Sequence, residues 1–302
     1  MTCPYVIETH DLSKRYGRVD AVKDLSLTVR AEQITGYLGR NGAGKTTSIK
    51  MLLGMTHPTA GGGTVLGRDI TSLAESCEMR RRVAYVAEDK QLYAYLTVEE
   101  MVRFTRSFYS DWRPEVERRL LRQYELPLQR RVSALSKGMR TKLALLLGLA
   151  RRPELLILDE PSEGLDPVAI EELLQTLVAA AGEGASIFFS SHQIAEVERI
   201  ADRVAIIRSG RLLMTESLAG LREKARHTVE VRFGSPPPPD AFAGVPGITD
   251  VRLDGALLRC TMQGVVDPLI KVLSCYHVVD LNSREADLED TFLALYGEEE
   301  PK

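Results

Sequence analysis

With 302 residues the chain can hold one large or two modest domains, each with its own core; 44% hydrophobic and 27% charged content is that of a globular protein. A net charge of −3 argues against the basic footprint of a nucleic-acid binder. The longest apolar run, residues 143–150, falls far short of a bilayer span, and Cys3, Cys77, Cys260 and Cys275 are scattered without a C-x-x-C pair, which speaks against a zinc site and for a reducing, cytoplasmic setting.

Residues 1–12 hold acids and no apolar core, so no signal peptide is expected. Residues 5–9 and 25–30 alternate in polarity and predict half-buried antiparallel strands. Between them Tyr16 precedes the turn glycine Gly17; it suits either local packing or a platform on which a base stacks. Residues 33–38 have strand length, and 47–53 carry apolar residues at helical spacing. Between these lies Gly39-Arg40-Asn41-Gly42-Ala43-Gly44-Lys45-Thr46, which fits the phosphate-loop pattern G-x-x-x-x-G-K-[ST] in its required strand–loop–helix context. The glycines allow consecutive backbone N–H groups to converge on phosphate oxygens, and the helix start adds its own unpaired N–H groups as far as Thr47.

Gly61-Gly62-Gly63 reads as a flexible turn, followed by a helix over 73–82 whose end, Arg80-Arg81-Arg82, faces solvent. Residues 83–86 predict a buried strand ending at Ala87-Glu88-Asp89, and 97–131 a mostly helical region broken near 112–114. Leu135-Ser136-Lys137-Gly138-Met139 opens an apolar helix with Ser136 as its N-cap. Residues 155–158 and 186–191 are continuous apolar runs, as in central parallel strands covered on both faces. Helices over 168–181 and 193–201 alternate with them, which predicts an α/β fold with a parallel sheet, and Ser209-Gly210 predicts a hairpin. Composition shifts over 219–226. A second unit then starts at residue 228, with a stiff tetraproline loop at 236–239 and a hairpin around Asp254-Gly255. Helices near 268–274 and 288–296 complete a small α+β domain without a catalytic cluster.

In an open parallel sheet, ligands bind beyond the carboxyl ends of the strands. Lys45 is placed to reach β- and γ-phosphates, and the Thr46 hydroxyl to meet Mg²⁺. Asp159, at the end of one apolar run, is placed to hold the same metal, and Glu160 to polarise a water. An Asp-Glu pair elsewhere is a surface turn; behind four apolar strand residues, in a chain with a phosphate loop, it reads as a site. His192 follows a buried strand and Ser190-Ser191, a position that suggests a γ-phosphate contact rather than a core histidine.

These pieces, in this order, resemble the nucleotide-binding subunit of an ATP-binding cassette (ABC) transporter, over residues 5–213. The resemblance implies a P-loop NTPase domain over 1–222, with a parallel-sheet core, N-terminal antiparallel strands and a helical subdomain at about 90–150. An accessory α+β domain would follow at 228–297. Residues 135–139 resemble the family signature LSGGQ, with Lys137 and Met139 in place of the second glycine and the glutamine. The family pattern implies a head-to-tail dimer with ATP held between one subunit's phosphate loop and Ser136 and Gly138 of the other. It assigns Tyr16 to adenine stacking, Asp166 to the loop linking the two sites, and His192 to the switch histidine. Glu88 stands where the family has a glutamine that touches Mg²⁺ and the attacking water; Gln91 is a weaker candidate for that role.

The whole architecture, with the tail at 287–295, is similar to exporter-type subunits whose membrane part is a separate polypeptide. The resemblance therefore implies an ATPase using ATP and Mg²⁺ to power export through a separate permease, as a homodimer or heterodimer, without nucleic acid. It would sit peripherally on the inner face of the membrane. The segment from Glu88 to about Trp112 would meet the permease, with Tyr93, Tyr95, Phe104, Phe108, Tyr109 and Trp112 divided between that contact and internal packing. A soluble cassette ATPase acting on ribosomes or DNA is the alternative, but the second cassette or long coiled coils of such proteins are absent. A non-hydrolysing nucleotide sensor is a third reading, favoured only by Glu88.

Overall fold

A computed structural model of the chain describes residues 4–285, apart from 225, 239 and 264–265. The chain divides into two compact units, Met1–Glu216 and Ser217–Lys302. In the first, β1 (Tyr5–Tyr16), β2 (Val19–Leu25), β3 (Thr28–Arg30), β4 (Ile34–Leu38), α1 (Lys45–Leu52), β5 (Ala60–Val65) and β6 (Arg68–Asp69) come in succession. Next are α2 (Leu73–Arg82), β7 (Val83–Val86), α3 (Val98–Arg106), α4 (Pro114–Gln123) and α5 (Lys137–Leu149). Then follow β8 (Leu155–Leu158), α6 (Pro167–Gly182), β9 (Ser186–Ser191), α7 (Ile194–Ile200), β10 (Arg203–Arg208) and β11 (Arg211–Ser217).

The central sheet has the order β11-β10-β4-β9-β8-β7, and β10, β4, β9, β8 and β7 pair in parallel. Every residue of β4, β8 and β9 is buried, which is why these strands lack polar alternation. Their carboxyl ends deliver Gly39, Asp159 and His192 to one edge of the sheet. A second, antiparallel sheet runs β2-β1-β5-β6, with β3 on β1, and shares with the first sheet a core that includes Ile7, Leu12, Leu27, Tyr37, Ile49 and Phe188.

Here two expectations need correction. The strand expected over 5–9 runs on to Tyr16 as β1, and the one expected over 25–30 is divided, Leu25 ending β2 and residues 28–30 forming β3, each paired with β1. Residues 61–63 are also no turn but the middle of β5, paired with β1 from Ile7↔Val65 to Ser13↔Ala60. Close approach explains the glycines: an added Cβ would stand 2.2 Å from the Asp11 carbonyl oxygen at Gly61 and 2.4 Å from that of Glu8 at Gly63.

The helical region is built by local signals. Thr97 and Glu100 close a reciprocal capping box at the start of α3, and Pro114 occupies the first turn of α4. Trp112 is buried, its indole N–H donating to Glu117 Oε2 at 2.6 Å, and Tyr109 lies under the Arg151 guanidinium at 3.9 Å. Tyr93, Tyr95, Phe104 and Phe108 are exposed and touch one another in a chain, with ring centroids 5.0–5.9 Å apart.

The second unit contains α8 (Leu218–Lys224), β12 (Arg226–Phe233), β13 (Ile248–Asp254), β14 (Leu257–Gln263), α9 (Asp267–Leu273) and β15 (Val278–Glu285). Its antiparallel sheet, ordered β13-β14-β12-β15, buries Val229, Val231, Leu258 and Met262 against Leu269 and Leu273 of α9. The strand β15 was not foreseen. The helix expected at 288–296 and the tail at 287–295 lie outside the described residues.

Candidate functional site

A cleft of about 610 Å³ opens over the start of α1, lined by Asn41, Gly42, Gly44, Lys45, Thr46 and Thr47 together with Glu88, Glu160 and Glu163. The loop leaves β4 at Gly39 and enters α1 through Gly44, whose φ of +107° only glycine adopts without strain. A side chain there would also meet the Ala21 carbonyl oxygen at 2.5 Å. Ala43 is buried, and its carbonyl accepts from Gly210 N–H at 2.9 Å, which anchors the loop to the β10–β11 turn.

Lys45 is only 5% exposed and its ammonium donates to the Gly39 and Arg40 carbonyls. The same ammonium lies 3.0 Å from Glu160 Oε1. Glu160 Oε2 meets His192 Nδ1 at 2.9 Å, and the other ring nitrogen, Nε2, lies 3.9 Å from Glu163 Oε2. Lys45, Glu160 and His192, assigned from three distant stretches, are therefore one contiguous cluster.

Glu160 holds a left-handed backbone, φ +43°, a conformation that costs a non-glycine residue of order 1 kcal/mol. Ser190 secures it: its hydroxyl accepts from Glu160 N–H at 2.9 Å and donates to Asp159 Oδ1 at 2.7 Å. The other Asp159 oxygen, Oδ2, is buried without a hydrogen-bond partner. Asp159 lines a neighbouring cleft of about 600 Å³ that shares Thr46 and Glu88 with the first and also holds Lys90 and Gln91. Burial pushes the Lys90 ammonium down to about 8, and its nitrogen is buried with no hydrogen-bond partner. The Tyr85 hydroxyl on the same wall is pushed up by burial, then by the charges of Asp159 and Glu88.

Tyr16 sits exposed at the end of β1, with Lys14 Nζ 5.1 Å above its ring, and pairs across the strands with Val19 on the cleft wall. Asp166 caps α6, its Oδ1 accepting from Ala169 N–H at 2.9 Å. Ser136 caps α5, accepting from Met139 N–H at 3.1 Å. Gly138 packs by Leu165, and Lys137 lies across Gly164, so residues 136–138 border the loop of Asp166. Neither Ser136 nor Gly138 lines the Lys45 cleft within this one chain.

Sequence reading missed Val19, Glu163 and Ser209 on the cleft wall, and a buried cluster of Ser162, Ser191 and Glu196 behind Glu160. The available signal was Ser190-Ser191 inside an otherwise apolar strand, since buried hydroxyls require partners.

Residues 22–163 match the ABC transporter domain family. Over 228 residues the chain is 35% identical to an uncharacterised ABC transporter ATP-binding protein of Synechocystis, covering 71% of this chain and 63% of that protein, less than two thirds of its length. A Nod factor export ATP-binding protein of Burkholderia lata is 33% identical over 304 residues, covering 97% of each chain. Among solved structures, an ATP-binding subunit of an ABC transporter superposes with a TM-score of 0.65 at 34% identity, over 72% of this chain and 92% of that one.

Proposed function

Because this chain belongs to the ABC transporter family of ATP-binding proteins, we propose that it hydrolyses ATP to drive export through a separate membrane-spanning subunit. The observation that carries the ATPase reading is the Lys45–Glu160–His192 cluster at the start of α1. An arriving γ-phosphate competes with Glu160 for the Lys45 ammonium. Released from that pair, the Glu160 carboxylate takes a proton from the water that attacks the γ-phosphorus, as the bond to the ADP oxygen breaks. His192, on the opposite oxygen of Glu160, orients that carboxylate and turns Nε2 toward the phosphate side.

The donors fit Mg²⁺: Thr46, Glu88 and Asp159 offer only hard oxygen, and Asp159 Oδ2 is a buried acceptor still seeking a partner. Those three residues would hold the ion, which supplies charge neutralisation to the phosphates when bound. Gly39, Asn41, Gly42, Ala43, Gly44 and Thr47 present the loop backbone to the phosphates, and Tyr16 stacks on the adenine.

Ser136 and Gly138 stand away from the chain's own cleft on a capped helix start, and Asp166 lies on the adjoining loop. That separation supports a dimer in which these residues complete the partner's site. The exposed chain of Tyr95, Tyr93, Phe104 and Phe108 supports a permease contact, while Trp112 and Tyr109 are occupied internally. Among the described residues no helix is long and apolar enough to cross a membrane, and the reading assigns the membrane path to a separate subunit. The test is Mg-ATP turnover by the purified chain beside Lys45→Ala, with pull-down of tagged Glu160→Gln protein from detergent-solubilised membranes in Mg-ATP. A stoichiometric multi-spanning protein supports export; ribosomal proteins, with turnover intact, refute it.

A further inference from the structure

We propose that Glu196 is a positioning residue for hydrolysis, its buried carboxylate clamping the loop at 162–166 to the end of β9 so that Glu160 and His192 stay in contact. The inference rests on the ATPase reading above and assigns a role to a residue outside the cleft. Glu196 lies in the first turn of α7 and is 5% exposed. Its Oε2 accepts two hydrogen bonds, from Ser162 Oγ and from Ser191 Oγ, each at 2.8 Å. Ser162 and Ser191 are themselves buried.

These two serines flank the reacting pair. Ser162 follows Glu160 by two residues, and its carbonyl accepts from Leu165 N–H at 3.0 Å, which folds the loop that carries Glu163 and Asp166. Ser191 immediately precedes His192, its hydroxyl accepts from Gln193 N–H at 2.9 Å, and its carbonyl accepts from Gly39 N–H at 3.2 Å. One carboxylate oxygen thus fixes the spacing between the Glu160 loop, the histidine and the first residue of the phosphate loop.

Stability alone does not explain a carboxylate here. Its second oxygen, Oε1, is buried without a hydrogen-bond partner. Burial pushes its carboxyl up, the bonds from Ser162 and Ser191 pull it down, and Glu160 pushes it up again. An apolar residue would fill the same volume at no desolvation cost. What such a residue lacks is one acceptor shared by both hydroxyls: Ser162 Oγ and Ser191 Oγ meet at Glu196 Oε2, whereas the other contacts of Ser191 Oγ, to Gln193 N–H and its carbonyl, stay within its own turn.

The experiment compares Glu196→Gln and Glu196→Leu in the full chain, measuring kcat and KM for Mg-ATP and the melting temperature. Gln keeps an acceptor oxygen for both serines, so kcat should stay within about threefold of wild type. In the Leu variant kcat should fall about tenfold or more with KM within about twofold, because displaced reacting groups cost rate rather than nucleotide affinity. The double variant Ser162→Ala/Ser191→Ala should lose as much, and adding Glu196→Leu to it should lose little more. Wild-type kcat in the Leu variant, or equal losses in Gln and Leu, overturns the clamp while leaving the ATPase reading intact. No turnover in wild type, alone or with its membrane partner, overturns both.

Discussion

Ser190→Ala isolates what the end of β9 contributes to the site. The Ser190 hydroxyl is fully buried and makes two bonds, from Glu160 N–H at 2.9 Å and to Asp159 Oδ1 at 2.7 Å. Removing it leaves a buried amide and a buried carboxylate oxygen without partners, beside Asp159 Oδ2, which has none already. An unpaired buried donor costs about 1–3 kcal/mol and a lost bond to a charged group about 1.5–3 kcal/mol, so the expected destabilisation is about 3 kcal/mol. With a urea slope of about 3 kcal/mol per molar, the midpoint falls by about 1 M. Trp112 is the chain's single tryptophan and is buried in the first unit, so its fluorescence reports the unit that carries the site. Turnover should drop as well, since Glu160 loses the bond that holds its left-handed backbone. A midpoint shift below about 0.3 M together with unchanged turnover would refute the reasoning.

Three further outcomes are expected. Lys45→Ala should abolish nucleotide binding or hydrolysis, measured by fluorescent nucleotide titration and phosphate release; normal turnover in that variant removes the phosphate-loop assignment. Glu160→Gln keeps the shape of the side chain beside Lys45 and His192 but not the base, so hydrolysis should fall by about 10²-fold or more while Mg-ATP binding persists and traps a dimer, seen by size-exclusion chromatography. A variant that stays monomeric in saturating Mg-ATP argues against the shared site. Lys90→Met should raise the urea midpoint at pH 7, with the gain shrinking as pH rises. Lys90 is depressed to about 8 by burial, so below that value it is charged in both states and the folded chain bears the whole burial cost. Between about 8 and the ordinary lysine value the folded chain sheds the proton first and the cost fades; a gain that does not shrink over that window contradicts the sign.

The parallel core was legible because its signals are local. Strands β8 and β9 are buried on both faces and so read as unbroken apolar runs, and α2, α5 and α6 carry their own caps in Ser72, Ser136 and Asp166. The glycine stretch at 61–63 misled because its glycines answer a long-range demand. At Gly61 and Gly63 the β1 backbone passes too near for a Cβ, and nothing within residues 61–63 reveals that neighbour. Strand β15 was hidden for a related reason: it pairs on one side only, with β12, and keeps Val279, Asp280 and Leu281 exposed, so no burial pattern marks it.

The candidate site divides along the same line. Lys45 and Thr46 are fixed by contiguous residues, because one loop must present several N–H groups to one phosphate, and such a constraint writes itself into adjacent positions. Asp159, Glu160 and His192 were legible one step further, as polar residues stationed where buried strands end. The bonds that tie the end of β9 and α7 to the Asp159–Ser162 stretch are long-range: Ser190 lies 31 residues from Asp159, and Glu196 lies 34 from Ser162. A hydroxyl in a buried strand announces that a partner exists without saying which. The groups proposed to react could therefore be nominated from the sequence, whereas the residues that support them could not, although Ser190 braces the left-handed backbone of Glu160. Variants that remove only the supports, Ser190→Ala and Glu196→Leu, should for that reason change the rate of hydrolysis more than the affinity for nucleotide.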